Sequence, residues 1–310
     1  MSYQHYERLY DFSGGLNNRD ADSLLQNNES PDMCNVVLGK RGTFEVRPGT
    51  IYSMDDPVEA AGECVTSIYE YVTSKGVPHF LAFSGDKLKK ATQDGWALLK
   101  DKFKSGSYLE FTSNSLINKA LFVNREDGYF ETDGETCNQV VPYAPTEDEK
   151  TEIGDCVFPT KPMLVTYHKY RTWLANVPDY PDRIYYSVDD INGNTLYNYF
   201  TASGWLRASN TKGEGITALV SFKDRLYVFT RTTIRVIVGT DLDDFAMVNL
   251  DDNVGTVSSR TVCVLQDYLI FLAVDGIYMF DGVSAPTKVS IRQPLTIRTI
   301  SEGHRHRACG

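Results

Sequence analysis

Histidine and tryptophan are sparse in this sequence, and its cysteines form no motif. Among 310 residues there are five His, three Trp and six Cys, and no Cys-x-x-Cys pair occurs. With Cys34, Cys64, Cys137, Cys156, Cys263 and Cys309 scattered singly, neither a disulfide framework nor a zinc knuckle is indicated. All six are expected to be thiols that serve packing. The histidines at 5, 79, 168, 304 and 306 accompany no Gly-x-Ser-x-Gly elbow, so nucleophilic hydrolysis has no visible machinery. No window approaches the eighteen or so uncharged residues of a membrane span, and Met1 to Arg8 is polar. No membrane contact is expected, and the chain is expected in a cytoplasm until it is assembled. Positive charge is short as well: 31 Lys and Arg against 41 Asp and Glu leave a net charge of −10, which counts against gripping phosphates over the whole surface. Helical periodicity is the last absence. No segment longer than ten residues shows it, which argues against a sheet wound with crossover helices.

What the sequence has is aromatic residues and hairpins. Phe, Tyr and Trp make up 12% of the chain, a composition that suits pleated, half-buried surfaces. Two hairpins are near copies. Ala120-Leu121-Phe122-Val123 leads to Asp127-Gly128, Tyr129-Phe130 and Asp133-Gly134; Leu269-Ile270-Phe271-Leu272 leads to Asp275-Gly276, Ile277-Tyr278-Met279-Phe280 and Asp281-Gly282. Asp-Gly pairs of this kind predict type I′ turns, in which both central residues need positive φ. Looser copies begin at Phe80, Thr172 and Leu226, so the five hairpins are spaced by 40, 52, 54 and 43 residues. Spacing of that length, with several short strands in each unit, predicts an all-β, β-propeller-like array of about five blades. A β-sandwich, with turns every 8 to 12 residues, is the alternative.

Two segments fall outside the repeat. Residues 1–60 are rich in Asn, Asp, Gly and Pro and read as an extended N-terminal arm; residues 61–300 form the propeller-like domain and 301–310 a tail. The acidic stretch Pro145 to Glu152, within a connection near 145–155, lacks apolar anchors and is expected to be solvated. Gly14-Gly15 and Pro48-Gly49 permit turns suited to a strap, laid either between neighbouring subunits or on its own propeller.

Weaker patterns have bland readings beside them. Gly213-Glu214-Gly215-Ile216-Thr217-Ala218 fits a dinucleotide fingerprint, but a strand pattern follows where a helix is required, so a loop entering the fourth unit is expected. His304-x-His306-x-x-Cys309 offers only three metal ligands on a terminus. Neither metal nor cofactor is expected. Ser187-Val188-Asp189 followed by Gly193-Asn194-Thr195 resembles an Asp-box turn, which is structural. The carboxylates Asp179, Asp182, Asp189, Asp190, Asp243, Asp244, Asp251 and Asp252 could include a glycosidase pair, yet turns use Asp in the same way. Lys87, Lys89, Lys90, Lys100, Lys102 and Lys104 read as a charged outer edge that discourages aggregation.

The arm carries a family likeness. Phe12-Ser13-Gly14-Gly15-Leu16-Asn17, Met33-Cys34-Asn35-Val36, Arg41-Gly42-Thr43-Phe44 and Arg47-Pro48-Gly49 resemble the N-terminal signature of the tail hub, or nozzle, proteins of short-tailed bacteriophages, also called tail stabilisation proteins. Asp182 to Ser187 and Lys223 to Phe229 are similar to that family's blade hairpins. The resemblance implies a non-enzymatic virion component, built in the host cytoplasm, whose identical subunits form a ring of six-fold symmetry. That ring would extend the DNA channel below the portal and adaptor, carry tail fibres or a needle, and let DNA pass without specific binding. It also implies subunit or partner contacts for Gly14, Gly15, Asn17, Asn35, Arg41, Arg47, Pro48 and Gly49. The family's chains continue with further blades, whereas this sequence stops soon after its fifth unit. A second class of function, a carbohydrate-binding or glycan-cleaving propeller, would draw on Trp96, Trp173 and Trp205 as stacking platforms and on the Asp-rich loops.

Overall fold

In the computed structural model, which describes residues 11–39, 42–49, 64–104, 107–188, 190–191, 194–208, 213–240 and 244–309, five antiparallel four-stranded sheets follow one another along the chain. Blade I comprises Val65–Val72, Pro78–Ser84, Lys87–Thr92 and Gly95–Lys100. Blade II comprises Glu110–Asn114, Lys119–Asn124, Gly128–Thr132 and Cys137–Gln139. Blade III is built from Leu164–His168, Arg171–Val177, Tyr180–Ser187 and Phe200–Arg207, with a small hairpin, Asp190–Ile191 and Asn194–Thr195, between its last two strands. Blade IV takes Ile216–Phe222, Arg225–Thr230, Ile234–Val238 and Ala246–Asp251; blade V takes Cys263–Leu265, Tyr268–Leu272, Ile277–Phe280 and Thr287–Lys288. In every blade the strands lie in sequence order, the arrangement of a five-bladed β-propeller.

All five hairpins read from the sequence begin in the second strand of a blade. Those strands are continuous apolar runs because sheets stack on both of their faces, so alternation disappears. Leu121, Phe122 and Val123, then Trp173, Leu174 and Ala175, then Leu226 to Phe229 are all buried. The aromatic excess fills the spaces between blades. Phe83, Phe103, Phe122 and Phe130 join blades I and II, with Phe122 and Phe130 stacked at 5.4 Å. Leu121, Tyr129, Leu174 and Phe200 join II and III; Trp173, Tyr186, Leu226 and Val228 join III and IV. Phe229 against Phe271 at 5.3 Å and Tyr227 against Phe280 at 5.5 Å join IV and V.

Turn chemistry departs from the expectation at the Asp-Gly pairs. Gly128 and Gly134 have φ of 111° and 88°, but neither Asp127 nor Asp133 is in the left-handed region, so these are not type I′ turns. Asp133 and Asp281 instead accept backbone N–H bonds two and three residues on, an Asx turn. Left-handed pairs occur where no glycine marked them: Lys169-Tyr170 (φ 46° and 63°) and Lys223-Asp224 (φ 47° and 58°) join the first two strands of blades III and IV.

Other expectations are adjusted by packing. Cys137 is buried in a core, where burial pushes its thiol up to about 12, and Cys156 packs against the Val188, Leu196 and Tyr199 cluster; Cys34, Cys64 and Cys309 are exposed thiols. Lys87, Lys89 and Lys90 stand on a third strand, not an outer edge, and Lys90 pairs with Glu135 of blade II. The acidic connection contains a one-and-a-half-turn helix, Glu147–Glu152, closed by a Thr146 and Glu149 capping box and burying nothing.

Candidate interaction site at the axis, the seam and the arm

First strands lie innermost, since those of blades II, III and IV pack on one another in turn. Their turns touch hand to hand on one rim of the propeller. Ser74 N donates to Asn118 Oδ1 at 2.6 Å between blades I and II, and Lys169 to Asp224 and Lys223 to Asp267 form ion pairs at 4.0 Å between III and IV and between IV and V. Behind the rim, His168 Nδ1 lies 2.8 Å from Ser221 Oγ, and burial first, then Lys169, lowers the imidazole pKa. Among the described residues no carboxylate bonds to His168, so the pair braces blades III and IV and lacks a triad's third member.

Between blades I, II and V a cavity of about 650 Å³ opens, walled by Val65 to Tyr69, Leu109 to Phe111, Arg260, Val262 and Cys309. Glu110 faces it with protein crowding its carboxyl. Burial raises that carboxyl to about 7, against the opposing hydrogen bond from Ser259 and the charge of Arg260. The Arg260 guanidinium sits 5.3 Å from the Tyr108 ring.

The seam between blade V and blade I differs from the other four junctions: among the described residues no buried cluster joins them. On blade I, register places Ile68, Ala82, Lys89 and Leu98 in one row, with Phe80 beside it on the same face. Ile68 is 72% exposed and Leu98 54%. On blade V, Leu265, Tyr268, Ile270, Ile277 and Met279 share the face turned away from blade IV, and Leu265 is 57% exposed. Exposed apolar side chains stand on both faces, while Ala82 and Leu272 within them are buried. Nothing in the sequence marked this, because the same residue pattern is covered at the other junctions.

The arm docks on the chain's own blade V end. Gly15–Leu16 pairs in parallel with Glu29–Ser30, and Val36–Leu38 pairs with Phe44–Val46. Asn18 N donates to Arg292 O at 3.0 Å, Gln293 Nε2 donates to Leu16 O at 3.0 Å, and Arg292 pairs with Glu29 at 2.5 Å. Gly14 is required by space, for a Cβ there would lie 2.5 Å from Glu29 Cγ and 2.7 Å from Asn28 O, while Gly15 has φ 66°. Asn17 is buried and donates to both Asp20 and Glu29. Asn35, at φ 54°, accepts from Arg47 N and closes the hairpin of Val36–Leu38 and Phe44–Val46. Arg47, Pro48 and Gly49 are exposed, and Arg41 lies outside the described residues. Gly14, Gly15, Asn17 and Asn35 thus shape the arm, and Arg47 to Gly49 are its surface.

The weaker motifs resolve structurally. Glu214 accepts from Thr230 and Thr232, bracing a blade IV hairpin, and Ile216–Phe222 is a strand where a phosphate-binding helix would have to start. Trp173 is core, and Trp205 carries the Arg183 guanidinium 4.0 Å from its ring. Trp96 is half-buried. Asp182 pairs with Arg207 and Asp251 caps its own turn. Asp189, Gly193 and Asp243 lie outside the described residues, as does His5. Among the described residues no three metal-ligating side chains converge, and no helix is long and apolar enough to cross a membrane.

Five stacked sheets about an axis define the class, a β-propeller, and one solved structure agrees with it at the level of fold. The extracellular domain of a hybrid two-component system of B. thetaiotaomicron matches with a TM-score of 0.52 and 11% identity over 83% of this chain and 33% of that one. YCF48 from Cyanidioschyzon merolae matches with a TM-score of 0.44 and 13% identity over 68% of each chain. No protein-family model matches the sequence, and no curated protein does.

Proposed function

We propose that this propeller is a structural subunit of a phage tail hub or nozzle, assembling with identical copies into a ring that extends the DNA channel below portal and adaptor and anchors fibres or a needle. The observation that supports it is the exposure, among the described residues, of Ile68, Phe80 and Leu98 on blade I and of Leu265, Tyr268 and Ile277 on blade V. Exposed apolar rows of this size are costly in a free monomer and are typical of surfaces that meet another protein. A contact between two different faces, repeated from copy to copy, generates a ring when the rotation closes. The acidic surface favours passage of DNA without adhesion. The arm motifs point to the same family, and in this reading the exposed Arg47 to Gly49 meet a neighbour.

Negative-stain imaging and native mass spectrometry test it. The wild-type chain is expected to form closed rings, and the triple variant I68D/F80D/I277D to remain monomeric with unchanged circular dichroism. A wild-type chain that stays monomeric at high concentration, with the adaptor present, would sink the proposal. The carbohydrate-binding reading draws less support, since two of its three tryptophans are committed to internal contacts.

A further inference from the structure

Near the axis, at the end from which the first strands start, four separate segments build a cleft of about 300 Å³, one of them contributing only Met163. Lys104, Ser107 and Tyr108 come from the link between blades I and II, Asn124, Arg125 and Glu126 from a blade II turn, and His306 and Arg307 from the tail. A smaller cavity of about 120 Å³ adjoins it through Tyr108, Met163 and His306 and reaches Ile216. The wall is held in place. Asn124 is buried and its amide donates to Ser107 Oγ and Asp127 Oδ2, both at 2.8 Å, while Lys104 N donates to the same Asp127 oxygen at 2.9 Å. The tail is anchored beside it by the Arg305 guanidinium, which donates to Val274 O and leaves His306 and Arg307 at the cleft.

Charge is what sets this cleft apart. Lys104, Arg125 and Arg307 converge on it, and among the described residues none forms an ion pair with a carboxylate. The cleft sits on a chain with 41 carboxylates and a net charge of −10. The carboxylate that lines the cleft, Glu126, offsets only part of the charge. Three cations held close repel one another, and an anion relieves that repulsion. One carboxylate ligand would leave the site over-charged. A phosphoryl dianion has three acceptor oxygens for two guanidinium forks, an ammonium and the neighbouring hydroxyl and imidazole groups.

We propose that this cleft binds a phosphoryl monoester or free phosphate, with Arg125 and Arg307 as its principal ligands and Lys104 as a third cation. It is independent of ring assembly. Calorimetric titration of the purified chain tests it with five probes: inorganic phosphate, a nucleoside 5′-monophosphate, the uncharged nucleoside, citrate and an oligonucleotide with only internal phosphodiesters. Saturable binding of phosphate or the monophosphate is expected, with none of the nucleoside. R125A and R307A should each weaken it at least about tenfold, and K75A, remote from the cleft, should leave it unchanged. Equal affinity for free phosphate and the monophosphate would identify phosphate as the ligand; tighter binding of the monophosphate would show the adjoining cavity in use. The proposal is overturned by absence of saturable binding, by binding indifferent to R125A and R307A, by a preference for citrate, or by tighter binding of an oligonucleotide with only internal phosphodiesters. All substitutions are at exposed residues, so circular dichroism should be unaffected.

Discussion

At the residue scale, the energetics concentrate in a few fully buried side chains and in one titrating carboxyl. Trp173 packs against Tyr186 at 5.2 Å and Phe245 at 5.1 Å and donates its indole N–H to His168 O. Trp173→Ala is expected to cost about 3–5 kcal/mol, measured by denaturant unfolding, because the cavity left between stacked sheets cannot collapse. Glu110 gives a pH signature. Its carboxyl is raised to about 7 in the fold from an ordinary value of 4.5, so between those values the folded state binds the extra proton. Stability therefore falls as pH rises through that window and levels off above it, by about 1–3 kcal/mol. Glu110→Gln should flatten the profile and be the more stable protein at pH 8. A wild-type stability that is level from pH 5 to 8 would contradict this account of the cavity.

Among elements, the hairpins show how far local sequence reaches. Second and third strands were legible as apolar runs bounded by Asp and Gly, and Phe80, Ala120, Thr172, Leu226 and Leu269 all proved to lie in second strands. The first strand of blade II, Glu-Phe-Thr-Ser-Asn at 110–114, was not, since it holds one large apolar side chain and carries little pattern. Left-handed turns were misassigned for a related reason. Lys169-Tyr170 holds two residues at positive φ with no composition cue, because the strands on either side fix the turn and pay the strain locally. Replacing the pair by Asn-Gly is expected to raise stability by about 1 kcal/mol, read as a higher unfolding midpoint at unchanged slope. The ion pair lost with Lys169 is half-exposed at 4.0 Å and offsets little of that gain.

For the whole molecule, blade count and arm were set by information spread evenly along the chain. Repeats of similar length and a change of composition near residue 60 are visible without any knowledge of folding, because each blade is a local antiparallel meander whose contacts are short in sequence. What only the tertiary structure decided is which faces remain uncovered and which distant residues meet. Ile68 and Leu265 look like any core residue in a strand, yet both are exposed, and among the described residues no buried cluster joins the last sheet to the first. Likewise Lys104, Arg125 and Arg307 stand far apart in sequence and share a cleft because winding about an axis returns the tail to the start of blade II. Strand periodicity is written locally, whereas a seam and a site between segments exist only after the sheets have closed around their axis.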